Sequence, residues 1–105
     1  MDITKNLEAM LASGRDSAML RVTLASHYFD TREFDKALGH AEVAVGLDAD
    51  YSAAWRALGR VLAAKGFDVR AAEAFRNGIE VATRRGDRQA AKEMQVFLKR
   101  LEPKT

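Results

Sequence analysis

Folded back on itself at a spacing of 34 residues, the sequence sets Leu24 over Leu58, Ala25 over Gly59, Tyr28 over Leu62, Ala37 over Ala71, Ala41 over Phe75 and Ala44 over Gly78. Asp16 falls on Asp50 in the same way. Few of these pairs are identities. What recurs is residue size at a register, which is the condition that stacked helix hairpins impose on their contact faces.

Apolar residues return at helical spacing in every segment and strand-like alternation is absent, which predicts an all-α chain of about six helices. Interruptions are expected near Gly14, Asp30 to Arg32, Asp48 to Asp50, Gly66 and Gly86. A first helix over 3–12 places Ile3, Leu7, Met10 and Leu11 on one stripe, and Gly14 suits the left-handed turn after it. Asp16 or Ser17 is expected to cap the second helix, with Leu20, Leu24, His27 and Tyr28 inward. The third begins near Thr31 to Glu33 and turns Ala37, Leu38, Ala41, Ala44 and Val45 inward. Asp50 or Ser52 is expected to cap the fourth, whose stripe is Trp55, Leu58, Gly59 and Leu62. The fifth, about 69–83, buries Ala71, Ala74, Phe75, Gly78, Ile79 and Ala82. The sixth, capped by Asp87, buries Ala90, Ala91, Met94, Phe97, Leu98 and Leu101, and Pro103 marks its end.

A glycine within a helix costs roughly 1 kcal/mol against alanine. At Gly59 and Gly78 a close helix crossing at a repeated register would offset that cost, whereas nothing in the sequence accounts for Gly39.

Composition narrows the chemistry. The chain has 105 residues, enough for one domain, and no cysteine, so disulfides, zinc ribbons and thiol nucleophiles are excluded. Seventeen basic residues stand against fifteen acidic ones along the whole chain, a mixed surface rather than the one-sided basic stripe of a nucleic-acid binder. The first twenty residues carry Asp2, Lys5, Glu8, Arg15 and Asp16 without a long apolar run. Neither a signal peptide nor a membrane span is expected there, which reads as a cytoplasmic location.

Trp55, Leu58, Gly59, Leu62, Gly66, Ala71 and Phe75, with Tyr28 and Ala37 one period earlier, resemble the signature of the tetratricopeptide repeat family. The likeness covers about residues 18 to 85. Arg21 stands where the first repeat would have Trp, and Ala49 and Thr83 where the family places Pro between repeats. Phe67 falls one residue earlier after Gly66 than Phe34 does in its repeat, so the second turn is expected to differ slightly. The resemblance implies an antiparallel helix-hairpin array, an α-solenoid: an N-terminal helix 3–12, repeat one 18–51, repeat two 52–85 and a capping helix 87–102. It also implies a non-enzymatic module that holds a peptide segment or protein surface in a concave groove.

Carried over by register, the groove positions are Met19, Val22, Ser26, Phe29 and Asp30 in repeat one, and Ala53, Arg56, Arg60, Ala63 and Ala64 in repeat two. Asp87, Ala90 and Met94 extend them onto the capping helix. Arg56 and Arg60 stand one turn apart on one helix face, where both guanidinium groups can converge on a carboxylate or phosphate of an acidic partner. The other reading is that they are ordinary solvated charges. Met19, Val22 and Phe29 would supply an apolar half to the groove or simply pack as core. The family's co-chaperone clamp for acidic tails is not carried over, because Val22, Ser26 and Ala57 occupy three of its polar registers.

No catalytic, metal or cofactor site is expected. Ser26 and His27 are neighbours pointing about 100° apart on a helix, and no phosphate-cradling glycine loop is present. His27 and Asp30 make only half of a metal-ligand set. His27 reads as a partly buried core or turn residue and His40 as a surface one. Two rival functions remain at this level. One is self-association through the end helices with Val96 and Phe97 exposed, giving a weak homo-oligomer in place of a monomer. The other is RNA binding by Arg84, Arg85, Arg88 and Lys92.

Overall fold

A computed structural model describes residues 3–102 as six helices: α1 (Ile3–Ala12), α2 (Ala18–Asp30), α3 (Phe34–Leu47), α4 (Ser52–Ala64), α5 (Asp68–Arg84) and α6 (Arg88–Leu101). Pro103 lies outside the described residues. Helices α2 and α3 form one hairpin, α4 and α5 a second, and α6 packs back on α5. Contacts also join α2 to α4 and α4 to α6, whereas the backbones of α3 and α5 stay apart and are linked at the surface by the Arg70–Glu42 pair at 3.4 Å. The α2, α4 and α6 side is therefore the closed, inner side of the array. The body is elongated, 48 × 28 × 21 Å, as a short stack of hairpins should be.

Four of the five joints share one backbone device. In the α2–α3 joint the amide of Glu33 bonds the carbonyl of Tyr28 at 2.8 Å and that of Arg32 bonds Phe29 at 3.0 Å. The same pair of bonds recurs from Arg15 and Gly14 to α1, from Phe67 and Gly66 to α4, and from Asp87 and Gly86 to α5. This is the Schellman arrangement, which needs a left-handed residue just past the helix. Gly14, Gly66 and Gly86 supply it at φ 90°, 84° and 78°. Arg32 takes the same conformation at φ 63° with a side chain attached.

The turn after Gly66 does not differ from its counterpart. Glu33 and Phe67 have φ, ψ of −90°, 69° and −89°, 68°. Only the aromatic ring is displaced: Phe34 packs edge-on against Phe29, while Phe67 is exposed beneath Lys65 and Arg70.

The α3–α4 joint is the exception. Asp48 accepts from the amide of Asp50 at 3.0 Å and Trp55 Nε1 donates to the carbonyl of Ala49 at 2.8 Å, which ties the extended connection to the start of α4. The N-cap is Tyr51, with no side-chain bond, rather than Asp50 or Ser52. Asp50 is turned outward to pair with Arg84 of α5. Ser17 and Asp87 do cap α2 and α6, accepting from the amides of Leu20 and Ala90, and Asp16 instead grips Arg21 through both oxygens at 2.8 and 3.0 Å.

The core runs through both hairpins, with Leu24, Ala37, Ala41, Leu62, Ala71, Phe75, Ala82 and Met94 essentially buried. Two helix glycines mark close approaches in it, Gly59 of α4 facing α5 and Gly78 of α5 facing both α6 and α4. A methyl group built on Gly59 would lie 2.5 Å from the Phe75 ring, and one on Gly78 would lie 2.4 Å from Met94 Sδ and 2.9 Å from Trp55 Cβ. Both positions therefore require glycine for space. Ala25 and Ala41, small and both buried, stand at the registers of Gly59 and Phe75 in the first hairpin, so the two hairpins fill equivalent volumes differently.

Helix α1 is attached differently. None of its residues is buried, Ile3 and Met10 of its expected stripe are exposed, and Leu7 and Leu11 are half-buried against the core. A polar chain reinforces it. Arg21, held by Asp16, donates to His40 Nδ1 at 3.0 Å, and His40 Nε2 faces Glu8 of α1 at 3.5 Å. His40 also stacks on Tyr28, with ring centroids 5.6 Å apart. It is thus an interior joint residue and not a surface one. Acceptance from Arg21 requires an unprotonated Nδ1, and burial holds the ring below its ordinary pKa of 6.5 despite Glu8.

Gly59→Ala should lower stability by about 1–2 kcal/mol, the overpacking cost exceeding the helix-propensity gain. Gly39→Ala, where among the described residues no side chain crowds the new methyl, should raise it by about 0.5–1 kcal/mol, and urea titration of both variants checks the two signs. Because the folded pKa of His40 is depressed, its contribution is complete above the ordinary histidine value and is lost as pH falls from about 6.5 through the lower folded value. Melting temperatures measured between pH 8 and 5 should fall in that window, and His40→Gln should flatten the fall. Asp16, held low by its bond to Arg21, acts only below 3.8 and outside the window.

Candidate functional site

On α4 the apolar positions Leu58, Gly59 and Leu62 face the core, and Arg56 and Arg60 lie about half a turn away, facing the inner side of the array. There they are not free solvated charges. Arg56 is ion-paired with Glu93 of α6 and lies 5.9 Å from the centroid of the Phe97 ring. Arg60 lies 4.5 Å over the Phe29 ring of α2 and 5.8 Å from that of Phe97. Burial, and then the charge of Arg56, hold the Arg60 guanidinium below its ordinary pKa, and it remains a cation at neutral pH.

Phe97 is the hub of this face. Its ring stacks on Phe75 at 5.4 Å and is approached by Arg100 as well as by Arg56 and Arg60. Beside it opens a cleft of about 330 Å³ lined by Phe29, Arg60, Ala63, Ala64, Phe75, Phe97, Arg100 and Leu101. Ser26, Phe29, Arg56, Ala57 and Arg60 also surround a small dimple between α2 and α4.

Of the groove positions carried over by register, Ser26, Phe29, Arg56 and Arg60 come together here, with Ala63 and Ala64 lining the adjoining cleft. Met19 does not. It lies about 15 Å along α2 from Phe29, 67% exposed in a separate hollow with Leu47 and Tyr51. Val22 is half-buried and lines neither hollow. On α6 the register taken from sequence stops too early. Met94 is wholly buried under Gly78 and Asp87 is a cap. The groove residues of α6 are Glu93, Phe97, Arg100 and Leu101, whose i, i+4, i+7, i+8 spacing was the available signal. Phe97 is half-buried in the groove, leaving only Val96 exposed on that helix as the self-association reading required. In the basic cluster, Arg84 is engaged by Asp50 and Glu80.

Among the described residues no group of three or more His, Asp or Glu side chains is placed to hold a metal ion, and no helix is long and apolar enough to cross a membrane.

Paired helix hairpins with a closed inner side define the class of α-helical repeat proteins. No family model matches the chain. A TPR repeat-containing protein of Pseudomonas aeruginosa is 41% identical over 98 residues, covering 93% of each chain. The solution structure of a Bordetella parapertussis protein superposes with a TM-score of 0.82 at 46% identity, over 96% of this chain and 88% of that one. A tetratricopeptide repeat domain protein of Salinibacter ruber superposes at 0.76 with 25% identity, over 83% and 88% of the two chains. The chain belongs to the tetratricopeptide repeat family.

The shared ring makes a testable demand on this face. Phe97→Ala should cost about 2–3 kcal/mol, at the lower end for a large aromatic because the ring is half-buried. Arg60→Ala should cost about 1 kcal/mol or less, as expected for a partly exposed cation on aromatic faces. Denaturant unfolding of the two variants checks the order.

Proposed function

We propose that this protein is a non-enzymatic interaction module whose inner face, centred on Arg56, Arg60, Phe29 and Phe97, holds a segment of a partner protein. The observation that carries this reading is the juxtaposition of two half-buried guanidinium groups with an open apolar cleft on the inner side of the array. Partly desolvated cations attract carboxylates more strongly than exposed ones, and apolar walls give the same ligand a second, sequence-dependent contact. Family membership supports the reading, since tetratricopeptide proteins generally mediate protein–protein interaction. The partner it favours is an acidic peptide segment or protein surface in the same aqueous compartment, the cytoplasm.

The test is affinity capture from nuclease-treated native lysate with quantified proteins, comparing the wild-type chain with the Arg56→Glu, Arg60→Glu double variant. The double variant must retain its helical spectrum and cooperative melt. A protein held by the wild type and lost by the folded variant is the expected outcome. Equal recovery by both would sink the groove as the working surface.

A further inference from the structure

By sequence, Arg56 and Arg60 are expected to converge on one ligand carboxylate or phosphate. In the structure Arg56 already has a carboxylate, that of Glu93. The two guanidinium groups that line the 330 Å³ cleft are instead Arg60 and Arg100. Among the described residues neither has a carboxylate within 4.0 Å, and each lies over aromatic rings: Arg60 at Phe29 and Phe97, Arg100 at Phe97. Asp30 and Glu93 act on Arg60 only at longer range. Apart from these two cations the cleft is walled by alanine, leucine and phenylalanine.

Resting on the groove reading above, we infer that this cleft takes one bulky apolar side chain of a partner peptide and that Arg60 and Arg100 take the carboxylates of acidic residues flanking it. The charge pattern selects that occupant. One apolar hollow bordered by two cations that have no carboxylate within 4.0 Å among the described residues is complementary to an acidic–apolar–acidic run, whereas a chain terminus brings a single carboxylate beside its last side chain. The volume suits one aromatic or large aliphatic side chain and its immediate backbone. Arg56, paired with Glu93, lies on the same inner face but does not line this cleft, where the ligand's carboxylates meet Arg60 and Arg100.

The test is titration of the isotope-labelled protein by NMR at physiological salt with three capped peptides: acetyl-Glu-Phe-Glu amide, acetyl-Gln-Phe-Gln amide and acetyl-Glu-Ala-Glu amide. The first should give saturable shifts at Phe29, Arg60, Phe97, Arg100 and Leu101, and each of the others should bind about tenfold or more weakly, as loss of charged hydrogen bonds or of the buried ring requires. Arg60→Gln and Arg100→Gln should each bring the first peptide towards the affinity of the uncharged one, and Arg84→Gln, remote from the cleft, should leave it unchanged. Retained spectral dispersion shows that each variant is folded. Equal binding of the first two peptides, shifts elsewhere on the surface, or tighter binding of acetyl-phenylalanine with its free carboxylate would overturn the inference. Shifts at the same residues on concentrating the protein alone would assign the cleft to a second copy, with the same consequence. Should the captured partner be lost in the Arg56→Glu, Arg60→Glu variant but fully retained in Arg100→Gln, the groove would stand and this subsite would fall.

Discussion

Everything on the inner face depends on how closely α4 and α5 cross. That distance is set at Gly59, where the Phe75 ring occupies the space a Cβ would need, and again at Gly78, where Met94 and Trp55 do the same from α6 and α4. The two glycines carry an entropic penalty in the helix interior, offset by ring and thioether contacts at a separation no larger residue permits. Because Phe75 is seated so deeply, its outer edge is free to stack with Phe97, and Phe97 in turn sets the positions of three arginines. The packing of the core and the charge arrangement of the groove are thus one continuous structure, running from backbone contact to aromatic stack to guanidinium.

The fold was legible because its determinants are local and periodic. Helix stripes, glycines past helix ends and small residues at a fixed register all speak through sequence spacing, and the structure places six helices where that spacing put them. Legibility ended where a residue's role depends on a neighbour brought close only by the fold. His40 looks like any polar helix residue until α1, α2 and the Asp16–Arg21 pair surround it. Asp50 looks like a cap until Arg84, 34 positions on, offers it a better partner. Arg56 looks like a free cation until Glu93 arrives from α6. Each of these is a long-range ion pair or hydrogen bond, and no periodicity announces such a pair.

Arg32 shows how the repeat tolerates variation. At the register filled by Gly66 and Gly86 it adopts the left-handed conformation with a full side chain, at a cost of about 1–2 kcal/mol. The two turn hydrogen bonds at that joint match those of the glycine joints in length. The guanidinium lies 5.5 Å from the Phe34 ring, one contact that a glycine would forgo. Geometry at the joint is therefore enforced by the hairpin it closes, and the residue conforms.

Helix α1 has a different standing in the molecule from the other five. It has no fully buried side chain, and its attachments include two half-buried leucines and the Glu8–His40 contact, whereas the deep core lies in the hairpins and α6. Elements with few buried apolar groups open more readily than the core they pack on, and in this molecule α1 is the helix with none. Detachment would uncover the Tyr28 and His40 stack and the surfaces of α2 and α3 that α1 covers. The array thus ends, on that side, in a helix laid across the first hairpin, and a face of that hairpin is sealed by polar and half-buried contacts where every other seam is sealed by core.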